Sequence, residues 1–294
     1  SNSGFLSDYD LLIKNFNSYT ENSSSYTEKE DYEVFGSLLL KTSFPLKKIN
    51  ETSISYLKPI MGIRYSPNNT KNISDKNLRL EYNNIFSFNR IGTNEIVEGG
   101  KSVSLGLEYE RRNPEDKKNF GFNIANSISD QKNNSLPSTS KLDQTRSDIV
   151  GNFFYSFNEN LELNYSFSYD RDMDYSNYDS ISTDISVNNF MTSFDYVTEN
   201  HELGDSEVIS NETKYKFTDE HMISFNTTKD LKDDFTQFYN LVYLFETDCF
   251  STTLEYNRKF FRDGDLKPDE SLQFLIRFIP FTELRGTANS YFKK

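Results

Sequence analysis

Apolar and polar residues alternate along most of this chain, in stretches of about ten residues. The clearest stretch runs from Leu161 to Tyr169, where every odd position is aliphatic or aromatic and every even position is polar. A period of two places successive side chains on opposite faces of a β-strand. The pattern therefore predicts strands that have one apolar face and one polar face.

The same alternation predicts fifteen strands, and no segment offers a sustained helical stripe with caps. The predicted strands cover residues 8–19, 32–44, 52–64, 78–88, 101–111, 119–129, 147–157, 160–170, 179–188, 191–198, 206–217, 221–230, 235–245, 250–261 and 270–279. Pro45 and Pro59 weaken the second and third of these predictions, because proline cannot donate a hydrogen bond to a strand ladder.

The connections between the predicted strands alternate between short and long. Short turns rich in Asn, Asp and Glu lie at residues 158–159, 188–189, 218–220 and 246–249. The interleaved connections are residues 89–100, 130–146, 171–178, 199–205 and 262–269, which are longer, and residues 231–234, which are the exception. Two unlike ends are typical of an antiparallel up-and-down outer-membrane β-barrel, with short periplasmic turns and long outer loops. The alternative is a soluble antiparallel barrel or sandwich, although Greek-key crossings do not require this alternation.

The two faces of each predicted strand indicate which side meets lipid. The apolar face carries Leu161, Leu163, Tyr165, Phe167, Tyr169, Ile223, Phe225, Phe250, Leu254 and Tyr256. The polar face carries Glu162, Asn164, Ser251, Glu255 and Asn257. A charge that faced lipid at the middle of the bilayer would cost about 2–4 kcal/mol, so the carboxylates belong on the wet side. We expect a wide, water-filled interior.

Composition restricts the function further. Aromatic residues make up 15% of the chain and its net charge is −13. The aromatic content argues against a disordered acidic chain, and the negative charge excludes nucleic-acid binding through basic patches. No stretch approaches the ~18 consecutive apolar residues of a transmembrane helix. The first residues do not form a signal peptide, and a membrane barrel must be secreted, so we expect either that the start of the mature protein has been trimmed or that the sequence is a fragment.

Candidate chemistry is sparse, and we predict no enzyme, cofactor or metal site. His201 falls in a long connection and His221 follows a short turn, which indicates two solvent-facing side chains rather than a catalytic pair. Residues 170–174 resemble the first half of a calcium loop, but no Gly and distal Glu follow at the required spacing. Gly62 and residues 98–100 indicate turns or a close backbone approach.

From about Phe86 onward the chain resembles the C-terminal barrel portion of the LPS-assembly protein LptD family. The residues that carry the resemblance are Phe86-Ser87-Phe88-Asn89-Arg90-Ile91-Gly92, Val97-Glu98-Gly99-Gly100, Gln144-Thr145-Arg146-Ser147-Asp148, Asp248-Cys249, the run from Leu254 to Asp263, Lys267-Pro268-Asp269-Glu270-Ser271-Leu272 and Phe278-Ile279-Pro280-Phe281. The C-terminal motifs are the most specific. Family barrels have more strands and an N-terminal jellyroll, so the resemblance implies an incomplete barrel.

The resemblance implies transport of lipopolysaccharide (LPS) and its insertion into the outer leaflet of the cell outer membrane. LPS would arrive along a periplasmic bridge protein and leave through a lateral seam between the first and last strands. The implied partners are LPS, outer-membrane lipid, the plug lipoprotein LptE, the periplasmic LPS bridge protein through the N-terminal domain, and the barrel-assembly machinery. Another outer-membrane porin or substrate transporter is the alternative function.

The resemblance also assigns individual residues. Cys249 matches a family cysteine that forms a disulfide with the N-terminal domain, and the predicted topology places the turn at residues 246–249 in the periplasm. The strand on one side of the seam carries Leu272, Phe274, Ile276 and Phe278. Phe278 and Phe281 match the aromatic assembly signal. Residues 1–281 are thus interpreted as the C-terminal portion of a transmembrane β-barrel, and residues 282–294 as a short periplasmic tail.

Overall fold

The structure, a computed structural model, describes residues 4–20, 29–67, 70, 72–74, 76, 78–90, 98–115, 117–200, 205–260, 268–278 and 282–289.

Strands dominate the described chain, because alternating sequences bury one face and pair along both edges. They are β1 (Leu6–Thr20), β2 (Lys29–Ser43), β3 (Leu46–Asn50), β4 (Ser53–Ser66), β5 (Gly100–Arg112), β6 (Lys118–Ser129), β7 (Ile149–Asn158), β8 (Leu161–Tyr169), β9 (Ser176–Val187), β10 (Phe190–Glu199), β11 (Ser206–Lys216), β12 (His221–Asp230), β13 (Phe235–Glu246), β14 (Phe250–Lys259), β15 (Asp269–Phe278) and β16 (Thr282–Asn289). One short 3-10 helix, Thr139–Lys141, accompanies them in the described residues.

Hydrogen-bonded neighbours follow the order of the chain, β1-β2-β4-β5 and onward to β16, while β3 pairs with β4 beside this path. The pairs whose register is resolved are all antiparallel. This confirms the predicted all-β, antiparallel up-and-down meander. The chain divides into a first unit, residues 1–154 and 166–178, and a second unit, residues 155–165 and 179–294.

The lengths of the connections alternate within each unit. In the first unit the long connections are residues 67–99 and 130–148, and the turn between them is residues 113–117. In the second unit, residues 188–189, 217–220 and 247–249 are short turns. Residues 231–234 are also short, which confirms the predicted exception.

In the first unit, β4 illustrates the two faces of the sheet. Met61, Ile63 and Tyr65 are exposed, whereas Gly62 and Arg64 between them are buried. We call the side of Met61, Ile63 and Tyr65 the apolar face, and the opposite side the polar face. The pleat of a single strand thus separates two environments.

The second unit repeats this division with a continuous apolar row. The strand register aligns Phe225, Leu241, Tyr256 and Leu272 across β12 to β15, and all four side chains are exposed. The neighbouring row on the polar face aligns Asn226, Asn240, Asn257 and Ser271. The predicted faces of Phe225, Tyr256 and Asn257 are confirmed.

The strand predicted at residues 78–88 is wrong. Residues 78–90 form turns and irregular backbone. Leu78, Leu80 and Tyr82 alternate with polar residues as they would in a strand, but they belong to an apolar cluster. The period of two arises because the segment packs alternate side chains inward without forming a ladder.

Two strands were not predicted, β3 and β16. The β3 sequence contains the adjacent lysines Lys47 and Lys48, which obscure any alternation. The β16 sequence, from Thr282 to Asn289, contains Leu284 as its single large apolar residue. β16 pairs with β15 through eight residue pairs, so the segment interpreted as a tail begins with a strand.

Candidate functional site

The described residues of the connection between β4 and β5 include several that pack against the sheet of the first unit. Ile73, Leu80 and Ile85 are at most 3% exposed. They form one cluster with Ala125 of β6 and Val150 of β7. Removal of these side chains from water stabilises the inward position of the connection by roughly 1.5–3 kcal/mol for each large aliphatic group.

The connection between β6 and β7 completes this cluster. Leu136 and Leu142 are both 3% exposed within it. The amide of Ile73 donates to the carbonyl of Ser135 at 2.9 Å, which joins the two connections through their backbones. We call residues 70, 72–74, 76, 78–90, 98–99 and 130–148 together the inner segment. Its packed core covers part of the polar face of this unit, including Ala125, where the sequence predicted a hydrated surface.

Small residues on the polar face allow the inner segment to approach the strands. A Cβ atom at Gly106 would lie 2.6 Å from Cζ of Phe86 and 3.1 Å from Cβ of Ala125. A Cβ atom at Gly62 would lie 3.2 Å from Cδ1 of Phe86. The close approach expected at Gly62 is therefore confirmed, and Phe86 is the group that approaches.

A buried ionic cluster fastens the end of the inner segment. Arg64 of β4 donates from Nη2 to Oε1 of Glu98 at 2.6 Å and from Nη1 to the carbonyl of Glu98 at 2.5 Å. Arg90 donates from Nε to Oε2 of Glu98 at 2.9 Å and also from Nη2 to Oε1. None of the three residues is more than 4% exposed. Two guanidinium groups thus enclose one carboxylate.

Burial raises the pKa of Glu98, but the charges of Arg90 and Arg64 and the hydrogen bond from Arg90 outweigh it, so the pKa lies below its usual range. The carboxylate is therefore ionised at neutral pH. The cluster continues to the strands, because Arg90 Nη1 donates to Oγ of Ser127, and Ser104 Oγ lies 3.1 Å from Ser127 Oγ.

A second polar contact involves Tyr82 of the inner segment. Its hydroxyl donates to Oε1 of Glu108 on β5 at 2.8 Å. Lys58 of β4 forms an ion pair with Oε2 of Glu108 at 2.6 Å. Burial and the hydrogen bond to Glu108 raise the pKa of Tyr82, so the phenol stays protonated and keeps donating.

Asp148, just before β7, is fully buried. Asn177 donates to its Oδ2 at 2.6 Å and Ser168 donates to the same atom at 3.1 Å. Burial raises the pKa of Asp148, while these two donors oppose that rise.

Asp170 begins the turn before β9, and its Oδ1 accepts a hydrogen bond from the backbone amide of Asp174 at 2.7 Å. The partial calcium motif is therefore a turn held by its own amides.

In the second unit the polar face carries a ladder of amide side chains. Asn226 donates to Asn240 at 3.2 Å, and Asn240 donates to Asn257 at 2.5 Å. Glu255 accepts from Asn240 at 2.7 Å and from Asn257 at 2.8 Å. This face offers hydrogen-bonding groups to water or to a polar solute.

The residues of the predicted seam lie on β15. Leu272, Phe274 and Phe278 are exposed, and Ile276 is half-buried. β15 pairs with β14 on one edge and with β16 on the other. In the described chain β16 follows β15, so β15 is not the last strand of the sheet, and the assignment of these residues to a seam stays a prediction. Phe281 lies outside the described residues.

Cys249 lies in the short turn between β13 and β14 and is exposed and unbonded in the described chain. The Nδ1 atom of His221 lies 2.6 Å from the hydroxyl of Tyr243. His201 lies outside the described residues.

Within the ranges that the structure describes, no three His, Cys, Asp or Glu side chains come together as metal ligands. Among the same residues, no helix has the length and apolar character needed to cross a membrane.

The ionic cluster was not predicted from the sequence. Arg64 and Glu98 are 34 residues apart, a separation with no local periodicity. Arg90 and Glu98 both belong to the motifs that carry the family resemblance. The presence of these two charged residues in family-like motifs, with no catalytic role to explain them, was the signal in the sequence that could have indicated a structural ion pair.

Comparison with solved structures gives porins at low similarity. A mutant porin of Rh. blastica matches at 9% identity and a TM-score of 0.42, covering 96% of this chain and 93% of the porin. A triple mutant of the Rhodopseudomonas blastica porin matches at 10% identity and a TM-score of 0.41, with the same coverage. The Salmonella typhi OmpF complex with daunomycin matches at 11% identity and a TM-score of 0.35, covering 87% of this chain and 91% of OmpF.

No curated protein matches the chain. The family model for LptD, described as LPS transport system D, matches residues 10–229. This range begins well before Phe86 and ends before the C-terminal motifs that we considered the most specific. It includes Arg64, Arg90 and Glu98, and most of the described strands. The chain belongs to the LptD family.

Proposed function

We propose that this chain forms part of the wall of an outer-membrane barrel that transports LPS and inserts it into the outer leaflet. The observation that carries the proposal is the pair of unlike sheet faces in a member of the LptD family. The apolar row of Phe225, Leu241, Tyr256 and Leu272 suits contact with lipid. The amide ladder on the opposite face suits a hydrated sugar headgroup.

The transport mechanism proposed here has no chemical step. Polar groups such as Asn240 and Glu255 would accept the headgroup, while the acyl chains pass into lipid through a seam. We assign the C-terminal side of that seam to β16, because β15 has neighbours on both edges. An opening strand must give up only backbone hydrogen bonds along one edge.

Several partners follow from the proposed role. Cys249 would form a disulfide with a cysteine of an N-terminal domain, in the oxidising periplasm. The periplasmic LPS bridge protein, LptE and the barrel-assembly machinery would act on the same barrel. We expect Cys249→Ser to abolish a reduction-sensitive gel shift of the full-length protein; an unchanged shift would exclude this bond.

Site-specific photo-crosslinking in cells tests the transport function. A photoreactive residue at Leu284 of β16 or at Asn240 of the polar face should form adducts with LPS. The same probe at Asp219, in a short turn, should form few. The protein should also fractionate with the outer membrane.

A different outer-membrane pore is the competing function, and conductance separates the two. Free ion conductance together with no LPS adduct at Leu284 or Asn240 would contradict LPS transport and support a porin.

A further inference from the structure

The apolar face of the first unit contains a groove across β4, β5 and β6. Ile63, Val103 and Ile128 form one register row along it, and its volume is about 560 Å³. The groove lies where β4 ends at Ser66 and β5 begins at Gly100. It is therefore at the end of the strands that carries the long connections.

A cation and an aromatic ring stand at the mouth of this groove. Tyr65 and Lys101 are register partners on β4 and β5. Lys101 Nζ lies 5.8 Å from the centroid of the Tyr65 ring, and both residues are exposed. A tyrosine at this depth presents an apolar body and a polar tip, which suits the boundary between lipid and water.

A second cation, Arg146, lies beside the groove. An isolated antiparallel bridge pairs it with Ile128. The flanking bonds, from Ser129 N to Thr145 O at 2.9 Å and from Ser147 N to Ser127 O at 3.0 Å, mark a non-hydrogen-bonded pair. In such a pair the two side chains are close and share a face. The exposed Arg146 is therefore on the apolar face.

These two cations are available to a ligand. In the described part of the chain, neither Lys101 nor Arg146 forms an ion pair. Asp130 is the one acid among the groove-lining residues. Two inter-strand spacings and two residues along a strand separate the cations by roughly 12 Å between Cα atoms.

We propose that this groove binds LPS from the surrounding outer leaflet, with an acyl chain along Ile63, Val103 and Ile128. Lys101 and Arg146 bind phosphates of its glycolipid headgroup. A headgroup with two separated phosphates satisfies both cations, whereas a phospholipid presents a single phosphate. The inference rests on the proposed function, because in an outer-membrane barrel the longer connections lie on the outer side of the membrane. The site differs from the transport route because it faces lipid.

Native mass spectrometry of the full-length protein tests this binding. Detergent-purified protein is incubated with rough LPS, dephosphorylated LPS or phosphatidylglycerol, and the adducts are counted. We expect wild type to retain rough LPS in preference to both other lipids. Lys101→Ala and Arg146→Ala should each lower retention by up to about fivefold, the upper range for an exposed ion pair.

Matched variants separate the groove from general attraction to anions. Lys132→Ala removes an exposed lysine that does not line the groove and should leave retention unchanged. Asp130→Asn removes the one acid and should raise retention. Ile128→Ser should lower retention through lost acyl contact.

Three results would overturn the inference. They are equal retention by wild type and the Lys101→Ala, Arg146→Ala double variant, equal retention of phosphatidylglycerol and LPS by wild type, and equal losses in the Lys132→Ala control. Heat-modifiable gel mobility verifies that each variant is folded. If LPS crosslinks form at Leu284 but the purified protein retains no LPS in mass spectrometry, the groove is rejected and the transport function stands. If no LPS crosslinks form at Leu284 or Asn240, the proposed function itself is rejected.

Discussion

Glu98 joins the end of the inner segment to β4 through its contact with Arg64. Its side chain is 1% exposed and accepts hydrogen bonds from Arg64 and Arg90. A buried ion pair contributes little net stability compared with an apolar replacement, but loss of one partner leaves the other charge uncompensated. In this cluster, loss of one carboxylate would leave two such charges.

We expect Glu98→Gln to lower the free energy of unfolding by about 3–5 kcal/mol, because two guanidinium groups stay buried without a counter-charge. Denaturant titration of the folded protein measures this loss. Glu115→Gln is the matched control, since Glu115 forms an exposed ion pair with Lys117 and should change stability by less than about 1 kcal/mol. Equal effects of the two substitutions would contradict the role of Glu98.

Acid should release the inner segment. The pKa of Glu98 in the folded protein lies below its ordinary value of about 4.3. The contribution of Glu98 to stability is therefore complete above that ordinary value and is lost as the pH falls through the folded pKa. Limited proteolysis of residues 70–90 should accelerate below about pH 4. In Glu98→Gln the rate should be high already at neutral pH and change less with acid.

At this scale the sequence revealed the residue types but not their contacts. Arg90 and Glu98 were visible in the family-like motifs, and Gly62 was assigned to a close approach. Arg64, which donates to Glu98, is on a strand that the alternation already explained. A contact between distant segments depends on the path of a long connection, which periodicity does not determine.

At the scale of the elements, the closest approach between the inner segment and the strands is at Gly106 of β5, with a second at Gly62 of β4. Gly106 leaves room for Phe86, whose Cζ would be 2.6 Å from a new Cβ atom. Small residues on the polar face therefore determine where a loop can pack. A larger residue on the polar face of these strands therefore requires a compensating change in the inner segment that packs against it.

We expect Gly106→Ala to destabilise the protein by about 1–3 kcal/mol, because Phe86 must move or the strand must shift. Thermal or denaturant unfolding measures the effect. Gly36→Ala is the control, since nothing lies within 4 Å of its ideal Cβ position. Phe86→Leu should offset part of the Gly106→Ala loss in a double-mutant cycle. Simple additivity would show that Phe86 is not the group displaced.

Element prediction succeeded where strands separate two environments. β8 and β14 have clear alternation, and both were predicted. Residues 78–82 also alternate but pack as irregular backbone, because alternation reports burial of every second side chain and not hydrogen bonding. β16 escaped prediction because a strand can form through its backbone with one large apolar residue, Leu284.

For the whole molecule, the decisive property is that the faces of each unit differ. Leu254 and Thr253 are adjacent on β14 and lie on opposite faces. Leu254 is 41% exposed and shares its face with Phe274 and Tyr243. The same substitution at these two adjacent positions should therefore change the stability of the protein in a bilayer by different amounts.

We expect Leu254→Lys to lower the free energy of unfolding from a bilayer by about 2–4 kcal/mol, the cost of a lysine that faces the apolar interior of the bilayer. Thr253→Lys should cost at most about 1 kcal/mol, because its side chain meets the hydrated face. Guanidinium titration in lipid vesicles measures both. Equal costs would contradict lipid contact at Leu254.

The amide ladder of Asn226, Asn240 and Asn257 has a consequence for errors in assembly. A slip of one residue between neighbouring strands turns every side chain to the other face. A slipped β13 would carry Asn240 into lipid and break its hydrogen bonds to Asn257 and Glu255. The amide ladder therefore favours the correct register between neighbouring strands over a register shifted by one residue. Misaligned strands are penalised on both faces at once, before the barrel is complete.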